Sequence, residues 1–136
     1  MRILLCIFLG LLINGCSSSS DLPNARPPVS QRTLSSSKIE SIISGLAPYW
    51  KTKNLATLFA NCLPNTLDTT VQIVTSSPPD AFVITGDIDA LWLRDSQNQV
   101  MPYLPYAPED TVLQSLIIGL IARHANSVMI DSFANR

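Results

Sequence analysis

The sequence predicts a mainly α-helical fold that carries one small β-hairpin, on three observations. Apolar residues recur at helical spacing in separate stretches, Ile39 to Leu46 and Leu55 to Leu63 among them. Two short β-branched runs, "VQIVT" (71–75) and "AFVIT" (81–85), flank the turn chemistry of "SSPPD". The longest apolar stripe is traced by Leu113, Leu116, Ile117, Leu120, Ile121, Ala125 and Val128 and has the period of one long helix with a wide buried face.

The N-terminus precedes all of this with "MRILLCIFLGLLINGC": Arg2, an apolar run from Ile3 to Ile13, and then a polar and a small residue before Cys16. Such a run is shorter than the roughly 20 residues needed to span a bilayer and has the pattern of a secretory signal, residues 1–16. The ending "INGC" resembles a bacterial lipobox, in which the cysteine is lipidated and begins the mature protein. Cys16 is therefore the expected lipidation site, and the protein is expected to be exported and anchored to a membrane by lipid. A plain signal cut near Gly15, leaving a periplasmic or secreted protein, is the alternative. Of the 3 cysteines, Cys6 leaves with the signal and Cys16 is lipidated or removed, so Cys62 has no partner for an internal disulfide. Cys62 shares helical spacing with Leu55, Leu58 and Phe59 and is expected to be buried and structural.

Residues 17–37 are rich in Ser and Pro and poor in large apolar side chains, the composition of a tether without its own core. Folding is expected to begin at Lys38, in a helix that Pro48 stops or kinks. Asn54 is a good N-cap for a second helix, which should end before Pro64. After the hairpin, Ser96 with Gln99 three positions on forms a possible capping box; Pro102, Pro105 and Pro108 keep the helix it opens short. Pro108, Glu109 and Asp110 suit the first turn of the last helix. That helix leads into "IDSFANR" without a partner for its apolar face, so residues 38–136 are expected to be the N-terminal fragment of a larger domain.

Charge is scarce, at 14% of residues against roughly 25% in ordinary soluble domains. The net charge of −1 supplies no basic footprint for nucleic acid. The clustering in "TGDIDALWLRDS" (85–96) is therefore informative. Asp87 and Asp89 stand at i and i+2, as a calcium loop begins. Leu91 and Trp92 occupy the positions where that loop needs another ligand and a glycine. His124, the single histidine, has no companion ligand for zinc and is placed at the edge of a helix packing face. Nucleophile elbow and phosphate loop are both missing. The remaining mixture is a flat aromatic face, Trp92, with a fixed donor, Arg94, and acceptors, Asp87 and Asp95. Sugars use that mixture: the ring covers C–H faces while the charged groups hydrogen-bond hydroxyls. The same residues also suit a structural role, with Arg94 paired to a carboxylate and Trp92 in the core, and chemistry alone leaves both open.

Four segments carry a resemblance: "RPPVSQR" (26–32), "FANCLPNTLDTTV" (59–71), "FVITGDIDALWLRDSQNQVMPYL" (82–104) and "GLIARHANSVMIDSFAN" (119–135). Together they resemble the N-terminal part of glycoside hydrolase family 125. The resemblance implies a metal-independent, inverting exo-α-1,6-mannosidase on an (α/α)6 barrel, with mannose-containing glycans as substrate and no cofactor, of which this chain would supply the first quarter to third. Arg94 and Asp95 match the pair implied to hold the hydroxyls of the terminal mannose, and Trp92 and Asp87 match neighbouring pocket positions. Asp89 and Leu91 depart from the family's pattern, and Asp89 takes no role. The general acid and base are implied to lie beyond residue 136, which would leave the fragment inactive alone. The competing expectation is a small helical lipoprotein that binds glycans or partners without catalysis.

Overall fold

The computed structural model of the chain describes residues 21–133. The expected signal at residues 1–16 and its Cys16 lie outside the described residues. Five α-helices and one hairpin follow in order among them: α1 (Ser37–Leu46), α2 (Lys53–Cys62), α3 (Asn65–Thr69), strands β1 (Val71–Ser76) and β2 (Pro79–Val83), α4 (Leu93–Val100) and α5 (Thr111–Ile130), with a 3-10 segment over Met101–Glu109. The family-scale barrel implied above is not visible in these elements, which form a mainly helical unit with a two-stranded antiparallel hairpin.

The starts of α1, α2 and α5 are each fixed by a side chain that accepts orphan backbone N–H groups. Ser36 Oγ accepts from Ile39 N and opens α1; Pro48 then ends it in a short 3-10 turn. Thr52, not the expected Asn54, caps α2 by accepting from Leu55 N. Asn54 Oδ1 instead accepts from the backbone N–H of Leu22 at 2.9 Å. Asp110 caps α5, with Oδ1 accepting from Val112 N and Leu113 N. Its other oxygen accepts from the Ser36 hydroxyl at 2.6 Å, so one carboxylate joins the starts of α1 and α5. Burial pushes the Asp110 carboxyl up, but the Ser36 hydroxyl and the N–H groups of Leu113, Lys38 and Val112 outweigh it and hold it below the usual range.

The core lies where the hairpin covers the first half of α5. Val83 and Ala81 on β2 and Leu113 and Leu116 on α5 are fully buried, joined by Ile39, Leu67, Val71 and Tyr103. Tyr103 donates its hydroxyl to the carbonyl of Leu63 at 2.6 Å, tying the 3-10 segment to the end of α2. The hairpin turn is tighter than expected, since Ser76 pairs with Pro79. A bulge between Val71 and Ile73 shifts the register, so that Val71 and Val83 both reach the core.

Three expectations are corrected. Residues 21–36 are not a free tether: the guanidinium of Arg26, 8% exposed, bridges Asp68, 2% exposed, and Glu40, and Arg32 joins the same carboxylates. Thr33 N and Leu34 N add backbone bonds to Asp68 O and Leu67 O. These charges partner over separations that composition does not reveal. Arg26 holds the Glu40 carboxyl below its usual range. Cys62 is exposed, because the stripe it shares with Leu55 and Leu58 is itself exposed and α2 has no buried residue. The buried face of α5 is confined to Leu113, Leu116, Gly119 and Leu120, while Ile121 and Val128 are exposed. The helix is long and apolar enough to cross a membrane, but the hairpin already covers its first half.

Gly119 sets that contact. A Cβ there would stand 2.6 Å from the backbone C and O of Asp80, closer than two carbon atoms can come. Gly119→Ala must push the hairpin off α5. We expect a loss of about 1–3 kcal/mol in the urea unfolding free energy of the chain, although alanine is the better helix former; an unchanged or raised midpoint would show that the hairpin is not seated this closely.

Candidate functional site

The cluster read from the sequence lies between the end of β2 and the first turns of α4. Thr85, 2% exposed, organises the crossing. Its backbone N–H donates to Ala90 O at 2.9 Å. Its hydroxyl donates to the same carbonyl at 3.2 Å and accepts from Trp92 N at 2.9 Å. Residues 86–89 are thereby closed into a projecting loop. Gly86 opens that loop at φ +84°, a left-handed conformation that side chains with a Cβ adopt only with strain. Ala90 and Leu91, each 5% exposed, return the chain to the core and anchor its far end.

α4 then begins at Leu93 with Trp92 as its N-cap residue, one turn earlier than the Ser96–Gln99 capping box implies. Ser96 is instead a fully buried residue inside the helix, its hydroxyl close to the carbonyls of Trp92 (2.8 Å) and Leu93 (3.2 Å). This earlier start puts Ser96 and Val100 on the inner face and Arg94, Asp95 and Asn98 on the outer side.

An open cleft of about 690 Å³ runs along this outer side. Asp87, Trp92, Arg94 and Asp95 all line it, together with Ile88, Asn98 and Gln99. Asp89 is exposed on the same loop but does not line the cleft. Trp92 is 40% exposed, so its ring is a wall and not core filling. The Arg94 side chain is 83% exposed and touches Asp95 at 3.5 Å, an exposed pair that adds little stability and leaves most guanidinium donors without a partner among the described residues. The cleft thus combines one flat ring, one fork of donors, two carboxylates and two amides. Such a wall suits a flat, uncharged ligand rich in hydroxyl groups. Gln99 Oε1 is buried at the wall without a hydrogen-bond partner among the described residues. Asn98 and Gln99 were not found from the sequence; a helix starting at Leu93 would have revealed Asn98, four residues after Arg94 and on its face.

A serine–histidine contact also comes together that the sequence reading missed. His124 Nε2 lies 2.8 Å from Ser96 Oγ, joining α5 to α4 behind the cleft. Ser96 has no exposure, so the pair cannot present a nucleophile to a ligand. Among the described residues no group of three His, Cys, Asp or Glu side chains is placed to hold a metal ion.

Burial holds the His124 imidazole below its ordinary titration range. A histidine whose folded pKa is depressed binds fewer protons than in the unfolded chain. Its contribution to stability is therefore full above the ordinary value of about 6.5 and is lost as pH falls below it. We expect the unfolding midpoint to drop between about pH 6.5 and 5, before the Glu40 and Asp110 carboxylates titrate, and His124→Gln to flatten that interval. An identical slope in the variant would remove His124 as its cause.

Comparison with known proteins coincides with this region. The metal-independent α-mannosidase family GH125 matches residues 52–136. The meiotically up-regulated gene 157 protein of Schizosaccharomyces pombe is 44% identical over 116 residues, covering 84% of this chain and 23% of the relative. The chain thus spans about a quarter of that relative's length.

Proposed function

Because the chain belongs to the metal-independent α-mannosidase family, GH125, we propose that it forms the N-terminal part of an inverting exo-α-1,6-mannosidase and supplies one wall of the pocket for the non-reducing terminal mannose. The supporting observation is the shared cleft: Asp87, Trp92, Arg94 and Asp95 line one surface within the stretch that matches the family. Arg94 and Asp95 hydrogen-bond the sugar's hydroxyls, Trp92 covers its C–H face, and Asp87 closes the loop side. Charge-assisted bonds of this kind fix orientation, which a ring face alone leaves loose.

Inversion needs a general acid and a general base roughly 6.5–9.5 Å apart across the glycosidic bond, with a water between. Asp87 and Asp95 are assigned to binding, and the acid and base to the part of the family domain that follows residue 136, completing an (α/α)6 barrel. The 136-residue chain alone then hydrolyses no mannoside. In the protein carrying the whole family domain, Arg94→Ala and Asp95→Ala each lower kcat/KM on an α-1,6-linked mannobiose about a hundredfold, or about 2.7 kcal/mol, with thermal melting unchanged. Wild-type kinetics in both variants would overturn the assignment of the cleft.

Export with a lipid anchor at Cys16 is part of the same proposal and rests on "INGC" after the apolar run. It would hold the enzyme at a membrane surface facing glycans. Metabolic labelling with an alkynyl palmitate analogue is expected to tag the wild-type protein and not Cys16→Ser; equal labelling of both would place the lipid elsewhere or nowhere.

A further inference from the structure

We propose that His124 is a positioning residue for the sugar-binding wall: through its bond to Ser96 it holds the first turn of α4, and with it Trp92, Arg94 and Asp95, in the geometry the cleft presents. This rests on the reading of the cleft as a mannose site, but the positioning itself is separately measurable.

Hydrogen-bond arithmetic carries the assignment. Ser96 Oγ has one proton and three neighbours, the carbonyls of Trp92 and Leu93 and His124 Nε2. Carbonyls only accept and two of them crowd the hydroxyl, so we assign its proton to the backbone, most directly to Trp92 O at 2.8 Å. Oγ is then left as an acceptor toward the ring, and the bond at 2.8 Å requires His124 to carry its proton on Nε2. A histidine on α5 thereby donates to a serine that in turn donates to the carbonyl of Trp92. The N–H of Trp92 is fixed at the same time by Thr85 Oγ1. The backbone of the aromatic wall is held at both ends, by the loop on one side and by α5 on the other.

The surroundings favour this role over packing alone. His124 lines a second hollow of about 290 Å³ with Val100, Leu104 and Ile121, where a leucine would fill the space as well or better. A ring nitrogen in an apolar wall is costly unless it makes its bond, and the bond it makes is to the helix that bears the site. Arg123, next to it, is engaged with Asp80 and does not compete for Ser96. Glutamine places its amide nitrogen close to where Nε2 stands and can donate the same bond; leucine keeps the volume and loses the donor.

Three measurements test this, the first two on the 136-residue chain and the third on the protein carrying the whole family domain. Imidazole ¹⁵N shifts above pH 7 are expected to show the Nε2–H tautomer; an Nδ1–H tautomer would overturn the proposal. Amide hydrogen exchange at Leu93 to Gln97 is expected to accelerate about tenfold in His124→Leu and to stay near wild type in His124→Gln. Equal exchange in all three proteins, or a His124→Gln as fast as His124→Leu, would overturn it. Titration with methyl α-mannoside, read at the Trp92 indole N–H resonance, should show about tenfold weaker binding in His124→Leu with recovery in His124→Gln. If wild type binds no sugar while the tautomer and exchange results hold, the mannose reading of the cleft fails and the positioning bond stands. If wild type binds and His124→Leu binds equally well, the positioning role fails and the site stands.

Discussion

The close approach of α5 to the hairpin is the constraint on which the rest of the fold depends. Gly119 brings the helix backbone against the backbone at Asp80, and only with that distance closed do Leu116 and Leu120 meet Ala81 and Val83 in one core. An isolated two-stranded hairpin is marginal in water, so β1 and β2 exist by virtue of the helix they cover. β2 ends three residues before Gly86, and the site loop starts from there. The direction in which that loop projects is thus inherited from a glycine more than thirty positions later in the chain.

Around this contact, buried polar groups are used as joints. Asp110 links the caps of α1 and α5 through Ser36, and Arg26 with Asp68 links the N-terminal stretch to α3. Removing one member of such a joint strips hydrogen bonds from a charged group held away from water, a loss of about 1–3 kcal/mol even where its other partners remain. Hydrogen bonds to charged groups are also directional, and these joints determine which surfaces meet. The apolar stripes alone would allow several ways of laying short helices on one another.

Helix existence, the hairpin and the cluster of cleft residues were legible because they rest on local signals: apolar period, β-branched runs, and charge crowded into a sequence otherwise short of it. What was missed depends on partners distant in the chain. Ser96 looked like an N-cap because Gln99 follows at the right spacing, but Thr85 bonds Trp92 N and the helix starts one turn sooner. Cys62 looked buried because its neighbours are apolar, but nothing among the described residues covers that face of α2. The five-residue α3 has too few positions to show a period. Residues 21–36 looked loose because a buried ion pair between Arg26 and Asp68 spans 42 positions and leaves no trace in composition.

The allocation of charge separates the scaffold from the candidate site. Of the four acids crowded between Asp80 and Asp95, Asp80 pairs with Arg123, whose guanidinium also stacks on Phe82 at 5.4 Å, and so belongs to the scaffold. Asp89 is exposed away from the cleft. Asp87 and Asp95 face the cleft beside Arg94, and among the described residues the closest ion pair here is the 3.5 Å contact between Arg94 and Asp95. Where this chain uses charge for stability, it buries it and gives it short bonds, as at Arg26, Asp68 and Asp110. Around Trp92 it does the opposite: the side chains stay half or fully exposed while the backbone that carries them is held by Thr85, Ser96 and His124. A rigid frame carrying unsatisfied donors and acceptors is the arrangement binding requires, because the ordering cost is met in folding and the hydrogen-bonding capacity is left for a ligand.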